Sequence, residues 1–185
     1  RDVEGERILR RKIRYGTADM TKEPAMTREE AVRALETGIQ MTEWCAAQGY
    51  RLVCGGEMGI GNTTTSAAVT AVLTGANVRD VTGRGAGLSS EGLERKVRAI
   101  ETALKLHQPD PDDPVDILHK VGGLDIAGMA GFYLGAAACG LPVVLDGVIS
   151  CAAALIAVRL CPAVRDYLIA AHQSAEPAGR LLLEA

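Results

Sequence analysis

The sequence predicts an α/β fold, a parallel sheet covered on both faces by helices. Three observations lead there. Aromatic residues make up only 3% of a chain that is 48% hydrophobic, so its core must be built from Ala, Val, Leu and Ile. That composition suits close helix-on-sheet packing better than a β-sandwich. Two stretches, RLVCGGEMGIGNTTTSAAV and PVVLDGVISCAAALIAV, repeat one plan: apolar strand, acid with glycine, hydroxyl, small-residue helix. Strands that feed helices through short loops build βαβ units and hence parallel sheets. Finally, 185 residues are enough for one domain with a real core and too few for two of ordinary size. The repeated plan arises wherever βα units are made, so by itself it carries no function.

Residues 1–26 show little periodicity and read as an amino-terminal arm, with the α/β core spanning 27–185. A start at Arg1 instead of Met reads as a piece of a longer chain. TREE then forms a capping box, Thr27 bonding the third helical N–H while Glu30 reaches back. The helix it opens, roughly 28–48, lines up Ala31, Leu35, Ile39, Thr42 and Ala46 before Gly49 stops it. YRLVCGGE is a short buried strand, residues 62–74 are a helix, and VRDV is a doubtful strand. Gly83, Gly85 and Gly87 precede a helix capped by Ser89 or Ser90. QPDPDDP is a linker whose Asp113 caps, and whose Pro114 begins, the short helix VDILHKV. LDIAGMAGFYLGAAACG is a helix of small residues, expected to pack inside the domain instead of across a dimer interface. LPVVLDG is the clearest strand, VISCAAALIAVRL a helix, and RDYLIAAHQ a last strand.

Composition also excludes functions. A net charge of -3 gives no basic footprint for nucleic acid. The one dense basic run, RILRRKIR, reads as a solvated terminal segment too small to anchor a membrane. The longest apolar stretches carry Gly and Pro breaks and no signal peptide opens the chain, so the expectation is a soluble, cytoplasmic protein. Cys45, Cys54, Cys139, Cys151 and Cys161 lack CxxC spacing and read as reduced, buried thiols, with no disulfide framework and no metal site.

Chemistry concentrates in the loop GGEMGIGNTTT. Glycines at a strand-to-helix turn let backbone N–H groups face a ligand, and a helix start adds unsatisfied donors suited to phosphate. Thr63 to Thr65 add hydroxyls. The loop is not a P-loop, because no lysine follows Gly61, and TGRGAGL breaks the dinucleotide GxGxxG spacing. Glu57 and Asp146 would stand beyond the carboxyl ends of strands, where ligands collect in parallel sheets. The plainer readings are a tight turn with Glu57 as a helix-start charge and Asp146 as a cap. On spacing alone Lys96 is a surface lysine, and His172 is a core histidine as readily as a ligand.

Five stretches in one order then carry a resemblance: GEMGIGNTTTSAAV, TGRGAGL, KVGGLDIAGMAGFYLGAA, PVVLDGVISCAAALIA and HQSAEP. Together with GTADMTKEPAMTREEAVRALETGI upstream, they resemble the nicotinate-nucleotide–dimethylbenzimidazole phosphoribosyltransferases from about Tyr15 to Pro177. The resemblance implies a Rossmann-like, three-layer parallel sheet, a nucleotide-binding core over 27–185, and a homodimer. It implies transfer of phosphoribose from nicotinate mononucleotide to 5,6-dimethylbenzimidazole, for the lower ligand of cobalamin, with no cofactor. Gly59 and Gly61, with Gly147 and Ser174, match the family's 5′-phosphate cradle, to which Asn62, Thr63 and Gly85 are added as substrate contacts. Glu57 and Asp146 match acids of the ribose side, Lys96 a lysine of the same site, and Met58 a pocket wall near the base.

The family's general base is a glutamate in a Gly-rich segment beyond HQSAEP, and the sequence reaches Ala185 without one. Glu184 lies in another motif. The expectation is weak nucleotide binding and poor turnover by this polypeptide alone. Two alternatives stay open: the same transfer to another base or a phenol, and a non-catalytic nucleotide-binding domain whose glycines serve only packing.

Overall fold

The structure, a computed structural model, describes Gly5 and residues 8–185, so Arg7 of the basic run lies outside the described residues. Helix α1 (Arg28–Ala47) starts where the capping box predicts: Thr27 Oγ1 accepts the Glu30 N–H, and Glu30 Oε2 accepts the Thr27 N–H at 2.8 Å. Strand β1 (Val53–Gly55) leads into α2 (Asn62–Thr74), whose bounds coincide with the expected 62–74. VRDV is not a strand. It forms one helical turn, α3 (Val78–Val81), because Asn77 accepts the Arg79 N–H and starts a helix there. Ser89 is the cap of α4 (Ser90–His107), and Asp113 that of α5 (Pro114–Val121), with Pro114 at its first turn.

Helix α6 (Leu124–Ala138), strand β2 (Val143–Leu145) and helix α7 (Val148–Leu160) follow as expected. The predicted last strand is shorter: Pro162 opens a 3-10 helix over Pro162–Tyr167, leaving β3 (Leu168–Ala170). A short helix, α8 (Ala178–Glu184), had no counterpart among the expected elements. The three strands run parallel in the order β1-β2-β3, with Val53, Val143 and Leu168 in register.

One face of the sheet, carrying Val53, Gly55, Val143 and Leu145, is buried beneath helices. On the opposite face Cys54 and Ile169 are exposed and Val144 is half-buried. Helix α6 packs within the chain, most extensively on α1. Its glycines make that approach possible: a Cβ on Gly131 would lie 2.6 Å from the Leu35 carbonyl carbon, and one on Gly135 2.9 Å from Ile39 Cα. Such backbone-to-backbone contact replaces the large side chains the composition lacks. The core includes Ile100, Ile117, Leu118, Ile126, Ile156 and Tyr133, all fully buried.

Met20, Ala25 and Met26 are buried in the same core, although no helix or strand forms ahead of α1 among the described residues. His107 and His119 bond the carbonyls of Met20 and Met26, fixing that segment. The five cysteines are free, as expected, but the expectation of burial holds only for Cys151. Cys139 and Cys161 sit just past helix ends, Cys54 points to the open sheet face, and all three are exposed. No described helix is long and apolar enough to cross a membrane.

Candidate functional site

Because the strands are parallel and in register, their carboxyl ends Gly55, Leu145 and Ala170 lie in one row. The Ala171 N–H donates to the Leu145 carbonyl at 3.1 Å and carries the row one residue further. A buried hydroxyl pair pins it from below. The Gly55 carbonyl can only accept and the Asp146 N–H can only donate, so Ser150 donates to the first (3.1 Å) and accepts from the second (3.2 Å). Tyr133 must then donate to Ser150, at 2.6 Å. Burial pushes the Tyr133 phenol up to about 12, so it remains a neutral donor. Gly55 is glycine because a Cβ would fall 2.7 Å from Tyr133 Cζ.

Beyond β1 the chain turns through Gly61, whose φ of 84° is left-handed and favours glycine. No side chain caps α2; the Thr64 N–H donates to the Gly61 carbonyl at 3.0 Å, leaving the Asn62 and Thr63 N–H groups ahead of it as donors. Glu57 folds back over the loop, its Oε2 accepting the Gly59 N–H at 2.5 Å and the Asn62 amide. The same Asn62 nitrogen donates to Asp125 Oδ2 at 2.8 Å, so one amide bridges two carboxylates, Glu57 in the loop after β1 and Asp125 in the first turn of α6. A Cβ at Gly59 would meet both Asn62 Nδ2 and Asp125 Oδ2 at 2.5 Å. Met58 and Ile60, by contrast, stand out at 97% and 105% exposure. Beside this loop lies a cleft of about 610 Å³, lined by Arg14, Tyr15, Gly61, Thr65, Leu124 and Asp125 among others.

Lys96 is not a surface lysine. It is 7% exposed, and its Nζ donates to Thr63 Oγ1 and the Gly83 carbonyl, each at 2.9 Å. Burial pushes its ammonium below the usual range, while the Glu176 carboxylate acts in the opposite direction. The stripe Gly92, Lys96, Ile100 and Ala103 is the buried face of α4, so Lys96 enters the interior by helical phase. Gly85, at a left-handed φ of 54°, donates its N–H to Glu176 Oε1 at 3.1 Å. The Glu176 N–H in turn reaches Ser174 Oγ at 3.3 Å.

A model of the DBI_PRT family, described as a phosphoribosyltransferase, matches residues 1–185. The chain belongs to this family. It is 50% identical over 184 residues to the nicotinate-nucleotide–dimethylbenzimidazole phosphoribosyltransferase of Acetivibrio thermocellus, covering all of this chain and 52% of that one. The corresponding Geobacter sulfurreducens protein is 56% identical, over 96% of this chain and 50% of its own length. The crystal structure of CobT from Thermus thermophilus superposes over the whole chain with a TM-score of 0.92 at 42% identity, and the match covers 55% of that protein. The chain thus spans about half the length of the curated relatives it matches.

In this family member the fold brings the sequence-predicted residues into two groups flanking the start of α2. Glu57, Gly59, Gly61 and Asn62 lie on one side with Asp125, and Thr63, Gly85, Lys96 and Ser174 on the other with Glu176. Asn62 and Thr63 are consecutive, so the two groups share one helix end. Asp146 and Gly147 stand at the end of β2, where Gly147 begins α7 and the Asp146 side chain is exposed, unbonded among the described residues. His172 is exposed, which removes the core-histidine reading. No cluster of metal-ligating side chains occurs among the described residues.

Sequence reasoning passed over Asp125, Tyr133, Ser150 and Glu176. Some signals existed: Asp125 follows GG at a helix start, and Tyr133 is the one hydroxyl in a helix otherwise free of polar groups past its first turn. Nothing local marks Glu176, whose partner Gly85 is 91 residues away.

Proposed function

We propose that this chain is the nucleotide-binding core, 27–185, of an enzyme that transfers phosphoribose from nicotinate mononucleotide to a benzimidazole-type base. The product is α-ribazole 5′-phosphate, for the lower ligand of cobalamin. The observation that carries the reading is the buried ammonium of Lys96, set between two glycine loops at the uncapped start of α2. A phosphate needs that combination: backbone donors without side chains in the way, a helix amino end and a fixed cation. Gly59, Gly61, Thr63, Gly85, Gly147 and Ser174 would then surround the 5′-phosphate, with Met58 against the base.

The chemistry asks little of the protein. The bond from C1′ to the pyridinium nitrogen breaks, its electron pair stays on nitrogen, and nicotinate leaves without needing a proton. Positive charge grows on the ribose, where the Glu57 and Asp146 carboxylates stabilise it. A ring nitrogen of the incoming base attacks the opposite face of C1′, inverting β to α. Its other nitrogen then loses a proton to a general base. None of the carboxylates named here is assigned that proton. The reading includes a homodimer at work in the cytoplasm, with no cofactor.

Calorimetric titration of the chain with nicotinate mononucleotide, and with nicotinate riboside as the phosphate-free control, tests it. Saturable binding of the nucleotide alone, lost in Gly59→Phe, is expected. Equal affinity for both ligands, or full affinity in Gly59→Phe, would remove the phosphate from this loop.

A further inference from the structure

Glu176 has no assigned part in the site, yet it connects three residues that do. Its Oε1 accepts the Gly85 N–H at 3.1 Å, its own N–H reaches Ser174 Oγ at 3.3 Å, and its charge acts on Lys96. Room for it is built into TGRGAGL. Gly83 lacks a positive φ, and its want of a side chain follows from packing: a Cβ there would lie 2.6 Å from Glu176 Cδ and 2.8 Å from Pro177 Cδ. Gly83 also presents the carbonyl that Lys96 bonds.

We propose that Glu176 is a positioning residue for the lysine site: its carboxylate fastens the loop 83–87 to the segment 174–177 and faces Lys96 with a countercharge. This rests on the reading of Lys96 as a phosphate contact. Glu176 is the carboxylate whose charge bears on Lys96. The two groups that Lys96 bonds, Thr63 and Gly83, are neutral, and Glu94 on α4 is paired with Arg79. The nearby cations point elsewhere: Arg84 is turned to the Leu88 carbonyl and Ser90 Oγ, and Arg95 and Arg98 are exposed. A buried amine without a countercharge tends to lose its proton. Glu176 opposes that loss while the pocket is empty, and an arriving phosphate takes over the role.

The two functions of the carboxylate separate in two variants. Glu176→Gln keeps an oxygen for the Gly85 N–H and removes the charge; Glu176→Ala removes both. The first readout needs no ligand: competitive amine labelling of Lys96 across pH, quantified by mass spectrometry. The labelling midpoint is expected to fall in both variants relative to wild type, and an identical midpoint in all three would overturn the proposal. The second readout is nicotinate mononucleotide affinity. In Glu176→Gln it should weaken at lower pH than in wild type, and in Glu176→Ala it should drop about tenfold at every pH as the charged hydrogen bond is lost. Wild-type affinity in Glu176→Ala would overturn the positioning role. Should Glu176→Ala fail to fold, the Glu176→Gln labelling midpoint decides alone. If wild type binds no nucleotide while the midpoints still shift, Glu176 stands and the phosphoribosyl reading falls.

Discussion

Replacing Ser150 by alanine should cost far more than its size suggests. The residue is 2% exposed, and its hydroxyl holds together three groups from β1, β2 and α6. Without it the Tyr133 hydroxyl, fully buried, keeps only Met129 Sδ at 3.7 Å, the Gly55 carbonyl loses a donor and the Asp146 N–H an acceptor. Each buried group left unpaired costs about 1–3 kcal/mol, and partial rewetting at the rim lowers the sum, so about 3 kcal/mol is expected. Tyr133→Phe differs in kind. It strands no donor, since Ser150 still serves Gly55 and Asp146, and about 1 kcal/mol is expected. Urea denaturation of the two single variants and the double variant measures both costs and their coupling. Ser150→Ala should be cheaper by about 1 kcal/mol in the Tyr133→Phe background, because the stranded phenol is then gone. A smaller loss for Ser150→Ala than for Tyr133→Phe, or strict additivity, would refute this account of the rim.

The α1–α6 contact predicts that Gly131→Ala destabilises by about 3 kcal/mol or more, since the new methyl meets Leu35 backbone and no flexible side chain can yield. Thermal melting, with Gly128→Ala as the control whose Cβ finds only Ala34 O at 3.9 Å, checks it. Tyr133 also predicts an alkaline loss of stability. Its pKa is raised from 10.0 to about 12 on folding, so the native state binds more protons in that interval. The contribution is fully present below pH 10.0 and is lost as pH rises towards 12, up to about 3 kcal/mol in all. Lys96, with its pKa lowered, has the opposite slope below 10.5, so the comparison with Tyr133→Phe isolates the tyrosine. Urea midpoints that fall equally in both proteins would exclude it.

Much of the fold was legible because its punctuation is local. Thr27 with Glu30, Asp113 with Pro114, and Gly75 after Thr74 set helix ends within a few residues of themselves. Glu57 and Asp146 were legible for the same reason: an acid just after an apolar strand lands at the rim. By spacing alone Lys96 reads as solvated, and it is helical phase that sets it beside Ile100 and Val97. What escaped altogether depends on distance in sequence: Glu176 acquires meaning only when the 83–87 loop and the 174–177 segment meet. The exposed cysteines failed for a third reason. A thiol is apolar enough to read as core, yet Cys139 and Cys161 follow the last turn of their helices, where the chain leaves the interior.

The protruding pair Met58 and Ile60 bears on how such a loop can change over time. Gly59, between them, lies against the Asn62 and Asp125 side chains, so a side chain there would displace the amide that bridges Glu57 and Asp125. Met58 and Ile60 touch little of that frame at 97% and 105% exposure. Mutational freedom and mutational constraint therefore alternate residue by residue along one short turn. A lineage could exchange the two outward side chains, and with them whatever they contact, while the loop backbone stays as it is. Retuning what is recognised would then need no rebuilding of how it is held.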